Sequence, residues 1–140
     1  MAYRTEPAPD VGTLVETLVQ HLAMTHVDTS RMFCVRSFGS TSDALARIWA
    51  LPSIWQQALS IRPHYIIEVV SQRYDPLSDD EKEKTIIHEL LHVPRTFSGA
   101  LRPHRSPTLK IDGRTVNRLH RQYRRAVDGG TLSLFGPERR

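Results

Sequence analysis

The stretch Thr85-Ile86-Ile87-His88-Glu89-Leu90-Leu91-His92 decides how the chain is read. It carries His-Glu-x-x-His inside an apolar run compatible with a helix. On a helix, residues four apart stand one above the other on the same face. His88 and His92 can therefore offer imidazole nitrogens to one metal ion. Glu89 lies beside them and reaches a water at that ion without being a ligand itself. Ile86, Ile87, Leu90 and Leu91 predict a buried helix whose two histidines face a cleft.

That disposition suits zinc-assisted peptide hydrolysis, with one Zn2+ per chain. The ion lowers the pKa of its water and polarises the scissile carbonyl. Glu89, as general base, takes a proton from the water and passes it to the leaving amine. A donor for the developing oxyanion is also needed. Tyr65, Arg102 and Arg105 are the candidates. The sequence thus predicts a hydrolase, a zinc metallopeptidase acting as an endopeptidase. One competing explanation is a buried helix with two incidental histidines, but burying imidazoles without partners is costly. Another is a structural zinc site, which normally takes four protein ligands rich in cysteine. The chain has one cysteine, Cys34.

The helix has a marked start and a forced stop. Ser78 is placed as N-cap with Glu81 three residues on, a capping box. Asp79 and Asp80 add negative charge where the helix dipole favours it. Pro94 would clash with the carbonyl of Leu90 in an unbroken helix and pushes Val93 off helical angles. The expected helix is Asp79 to His92, followed by a loop from Arg95 to Pro107.

A catalytic zinc takes three protein ligands and keeps one position open. His104 is the best third ligand. It follows the turn at Pro94, and Gly99 offers a place for the chain to reverse. His64, at the start of the preceding strand, is the main competitor. Glu68 and Asp112 remain possible, and Glu68 could instead orient a ligand histidine. His21 and His26 end the first helix, where the dipole favours them, and His120 is expected on the surface.

Elsewhere, Met1 to Asp10 reads as a flexible lead without the apolar segment of a signal peptide. Val11, Leu14, Val15, Leu18, Val19 and Leu22 recur at helical spacing. Arg31 to Phe38 reads as a strand closed by the turn cluster Gly39 to Ser42. Ala44 to Leu59 is rich in helix formers. It predicts a helix kinked or split at Pro52, with Trp49 and Trp55 as core anchors. Tyr65 to Val70 is a β-branched strand, expected to form a rim along which an extended substrate pairs. From Asp112 a basic helix runs to Gly129-Gly130, and residues 129–140 read as a tail, with Leu132, Leu134 and Phe135 tucked back.

The 140 residues predict one domain, residues 11–128. No window approaches the roughly eighteen apolar residues of a membrane span. A single cysteine in an apolar stretch predicts a buried thiol and, with no signal peptide, a cytoplasmic protein. Charge is uneven. Leu101 to Arg140 holds ten Lys or Arg against three acids, giving +7, and the first hundred residues carry −3. The basic last third suggests an acidic partner, with nucleic acid one candidate, or a solvated helix face.

The run from Thr85 to His104, ending Ala100-Leu101-Arg102-Pro103-His104, resembles a family of metallopeptidases found in phages, prophages and some archaea. Ala46-Arg47-Ile48-Trp49-Ala50-Leu51-Pro52-Ser53-Ile54-Trp55 and Tyr65-Ile66-Ile67-Glu68-Val69 resemble the same family. The resemblance implies zinc held by His88, His92 and His104, with Glu89 as base. More distantly the layout is similar to SprT and Spartan proteases, without the zinc-ribbon cysteines of the bacterial SprT proteins. A metzincin pattern does not fit, because Val93-Pro94 stands where that pattern needs a nearby glycine and histidine. The expected fold is α+β. It is a small zincin-like domain with an N-terminal helix, a short mixed sheet with an edge strand near the site, the central His-Glu-x-x-His helix and a basic C-terminal helix.

Overall fold

The computed structural model describes residues 2–135, with side chains described through Gly129. It is α+β, with a four-stranded mixed sheet and five α-helices. The strands are β1 (Arg4–Pro7), β2 (Met32–Phe38), β3 (Ala46–Ala50) and β4 (Tyr65–Val70). The helices are α1 (Pro9–His21), α2 (Ser53–Leu59), α3 (Ser71–Tyr74), α4 (Asp79–Leu91) and α5 (Gly113–Phe135). Sheet order is β1-β2-β4-β3. β4 pairs parallel with β2 and antiparallel with β3, and β1 pairs antiparallel with β2.

Helices α1 and α4 and the start of α5 lie where the sequence placed them, whereas α3 falls in a stretch read as a connection. α1 buries Val11, Val15 and Leu18. α4 starts as expected: the Ser78 hydroxyl accepts from the Glu81 N–H at 3.2 Å, and Asp79, Asp80 and Glu81 occupy the first turn. It ends with His92 as C-cap, two residues before Pro94. Ile86, Ile87 and Leu90 are fully or almost fully buried against Tyr65, Ile67 and Val69 in one core.

Several expectations are corrected. Residues 4–7 are no loose lead. They form an edge strand in register with Val35 to Phe38, with every residue exposed and hence no apolar alternation to betray it. Ala44 to Leu59 is no kinked helix. It divides into strand β3 and helix α2, because pairing with β4 outweighs the helix propensity of its Ala, Leu and Arg residues. Pro52 ends the first element and opens the second. Trp49 and Trp55 are therefore half exposed (50% and 56%) and do not anchor the core. Finally, α5 runs through Gly129-Gly130 to Phe135. Two glycines cost a helix only about 1 kcal/mol each and, unlike proline, remove no hydrogen bond. Residues 136–140 of the expected tail, and the side chains of Leu132, Leu134 and Phe135, lie outside the described residues. No helix among the described residues is long and apolar enough to cross a membrane.

Strand β4 is also not a rim. It lies between β2 and β3, and β3 is the free edge beside α4.

Candidate metal centre

His88 and His92 stand on the last turn of α4 and its cap. His104 comes from the loop that returns after Pro94. The three rings lie 4.7–5.3 Å apart between centroids. Each offers one nitrogen, and these nitrogens all fall within 4.8 Å of one another. His88 Nε2 and His104 Nε2 are 3.3 Å apart. Two ligands about 2.0–2.1 Å from a tetrahedral zinc are separated by about 3.3–3.4 Å, the edge of that tetrahedron. The donor set and this edge both fit zinc.

Backbone bonds orient the imidazoles. His92 Nδ1 donates to the Arg102 carbonyl at 2.6 Å. That fixes the proton on Nδ1 and leaves Nε2 free to bind a metal. The Arg102 N–H returns a bond to the His92 carbonyl at 2.7 Å. Beyond it, Ile111 N–H donates to the His104 carbonyl at 2.8 Å, and Arg105 bridges to Lys110. Upstream, the buried Tyr65 hydroxyl accepts from Gly99 N–H and donates to the Ala100 carbonyl, each at 2.8 Å. Gly99 has φ +93°, and a Cβ there would lie 2.2 Å from Gln56 Nε2. The tight turn thus needs glycine for its angle.

Glu89 is 8% exposed, and burial pushes its carboxyl up to about 7. Burial, and then the neighbouring His92 and His104, hold His88 below the ordinary imidazole value. Both shifts favour neutral side chains, and neutral imidazole is the form that ligates a metal. A groove of about 390 Å³ opens onto His88, Glu89, His92 and His104, walled by Ala46 and Ile48 of β3. A second cavity of about 450 Å³ shares His88, Glu89 and Ala46 with it. That cavity extends towards Leu45 and the start of α5 at Val116.

The other candidates are elsewhere. The Tyr65 hydroxyl is spent on Gly99 and Ala100. Glu68 is 1% exposed on the far face of the sheet, held by Arg47 (2.9 Å), Trp49 Nε1 (2.8 Å) and the Tyr3 hydroxyl (3.1 Å). It is neither a ligand nor a partner to one. His64 stacks on Phe33 and contacts the Arg62 carbonyl. Asp112 caps α5 by accepting from Thr115 N–H. The Arg102 side chain lines a separate cavity with Met24 and His26.

His120, expected on the surface, is buried at 2.8 Å from Glu83. With Asp80 it forms a second cluster of metal-ligating type. There, Arg124 bonds both Asp80 and Glu83, so a guanidinium already supplies the positive charge and ties α5 to α4. Two contributors to the site escaped sequence reasoning. The Arg102 carbonyl, as a backbone group, carries no residue signal. The β3 wall was hidden by its helix-forming residues, although small apolar Ala46, Ile48 and Ala50 alternate with Arg47 and Trp49.

An α+β domain that gathers three imidazoles and a buried carboxylate beside a sheet edge has the make-up of a metallopeptidase, a metal-dependent hydrolase of peptide bonds. The model of the family described as "Putative phage metallopeptidase" matches residues 3–130. The chain belongs to that family, and membership implies a metal ion. No curated protein and no solved structure is matched significantly.

Proposed function

We propose that the chain is a zinc-dependent endopeptidase in which His88, His92 and His104 hold the ion and Glu89 is the general base. The observation that carries this is the convergence of the three ligand nitrogens within 4.8 Å beside a buried carboxylate. A bound zinc ion supplies Lewis acidity to a water and to the substrate carbonyl. The residues do the rest. His92 is held in the metal-binding tautomer by Arg102. Glu89, with its proton affinity raised by burial, accepts a proton from water and returns it to the departing amine nitrogen. Edge strand β3 offers unpaired backbone groups to an extended substrate. An edge admits a chain at internal positions, which supports endopeptidase action. The 450 Å³ cavity, lined by Leu45, Ala46 and Val116, suits an apolar substrate side chain next to the reacting bond. A cytoplasmic location, expected from the sequence, belongs to this reading.

Purified protein is expected to hold about one zinc per chain by elemental analysis. A chelator should abolish cleavage of an unfolded protein substrate, and zinc should restore it. Glu89→Gln should keep the metal and lose cleavage by roughly 10²–10⁴-fold. Folded protein that takes up no zinc would overturn the site. A fully active Glu89→Gln variant would overturn the role of Glu89 alone.

One observation favours nucleic acid as a further partner. Arg114, Arg118, Arg121 and Arg125 are exposed on α5. At about 100° per residue they fall within an arc of about 60° and a length of about 16 Å. None of the four has an ion pair among the salt bridges described, so they can meet phosphates. Binding through them should weaken with salt at a log–log slope of roughly −3 to −4. Absence of salt-sensitive DNA binding would remove this reading and leave the peptidase intact.

A further inference from the structure

The sheet face opposite the core is open at one end only, since Ser37, Glu68 and Val70 further along it are each 1% exposed. On the covered side stand Met32, Cys34, Ile48, Tyr65, Ile67 and Val69. The strand register puts Phe33, Ile66 and Trp49 side by side on the opposite face, since Phe33 pairs with Ile66 and Ile66 with Trp49. They are 53%, 39% and 50% exposed, and Tyr3, whose hydroxyl reaches Glu68 on the same face, is 53% exposed. Three half-exposed aromatics and one isoleucine leave roughly 400 Å² of apolar surface in water. A standard interface takes about 800 Å² from each partner, a little over half of it apolar. The face therefore supplies about what one side of such an interface needs.

The polar groups of this face already satisfy each other. Glu68 takes bonds from Arg47, Trp49 and Tyr3. Covering the face strands no buried charge. The pair is also neutral, which matters for what can dock. Two copies of a chain with formal charge +4 approach each other more easily through a neutral patch. The row has a centre as well. Ile66 lies midway between Phe33 and Trp49, one strand spacing of about 4.8 Å from each. A twofold axis through Ile66 sets Phe33 of one copy on Trp49 of the other, twice, and Ile66 on Ile66. Self-complementarity of this kind is what a twofold dimer requires.

We propose that the chain forms a homodimer through this open sheet face, centred on Ile66. The metal groove lies on the helix side of β3 and stays accessible. The dimer stands independently of the peptidase reading.

Sedimentation velocity of the full chain from 1 to 100 µM tests it. A species of twice the 16.0 kDa chain mass is expected to dominate by 100 µM. Ile66→Lys and, separately, Phe33→Ser should each shift the dimer at least tenfold to higher concentration. Circular dichroism and zinc content should match the unaltered chain, which excludes misfolding. Two variants are used because a lysine beside Glu68 can disturb the sheet, whereas serine at Phe33 is mild. A monomer throughout the range overturns the proposal, even if the face captures some other protein. So does a dimer that survives both substitutions.

Discussion

Replacing Tyr65 by phenylalanine separates a structural role from a catalytic one. The hydroxyl makes two bonds of 2.8 Å, from Gly99 N–H and to the Ala100 carbonyl. The ring itself is wholly buried and packs edge-on against Phe97 at 4.9 Å, so Tyr65→Phe preserves the packing. Each lost bond is worth about 1 kcal/mol net. Ala100 is exposed and Gly99 half-buried, so water can take over both backbone groups and no larger desolvation cost is added. The expected loss is about 2 kcal/mol, a fall of roughly 6–8 °C in Tm for a chain of this size. Because the turn leads into Arg102 and His104, zinc affinity should also drop several-fold. The assay pairs a urea melt with zinc competition and steady-state cleavage at saturating zinc, where kcat should stay within about threefold. An oxyanion donor would behave in the opposite way: an unchanged melt and a kcat lower by about 10²–10³. That result would refute the structural role assigned here.

Other outcomes follow from single contacts. His104→Ala should reduce zinc affinity by more than tenfold in a competition assay, with the melting curve of metal-free protein unchanged within about 1 kcal/mol, since His104 is an exposed loop residue. Burial pushes the Glu68 carboxyl up, but hydrogen bonds from Arg47, Trp49 and Tyr3 outweigh it and bring it from 4.5 to about 2. A lowered carboxyl stabilises the fold above the unfolded value. That stabilisation, about 3 kcal/mol, is lost as pH falls from about 4.5 towards 2. Urea melts of Glu68→Gln should show a correspondingly shallower acid loss, and equal slopes would contradict the assignment. His120→Ala removes a buried partner of Glu83 while Arg124 remains, so it should cost about 2–3 kcal/mol without changing zinc content.

The motif helix was legible because every local signal agreed. Ser78 opens it, Pro94 closes it, and Ile86, Ile87 and Leu90 turn inwards. The return of His104 to the side of His88 and His92 was legible because the turn at Pro94 sends the chain back. What failed was strand detection at the margins. Arg4 to Pro7 shows no alternation, since both of its faces meet solvent. Ala46 to Ala50 alternates, but its alanines are as suited to a helix, and only β4 alongside decides the matter. The roles of Tyr65, Glu68 and His120 depended on which residues stand opposite, and such contacts span dozens of positions: 34 between Tyr65 and Gly99, and 37 between His120 and Glu83.

The paired bonds between His92 and Arg102 close the intervening residues into a ring anchored at its neck. Gly99 and Ala100, on the way back to the neck, are held by Tyr65, and the position of His104 is measured from the neck. Insertions or replacements around the ring's outer curve, near Arg95 and Thr96, need not be transmitted to the imidazoles. The neck thus leaves the exposed Arg95 and Thr96 as a stretch that can change while the three imidazoles keep their spacing.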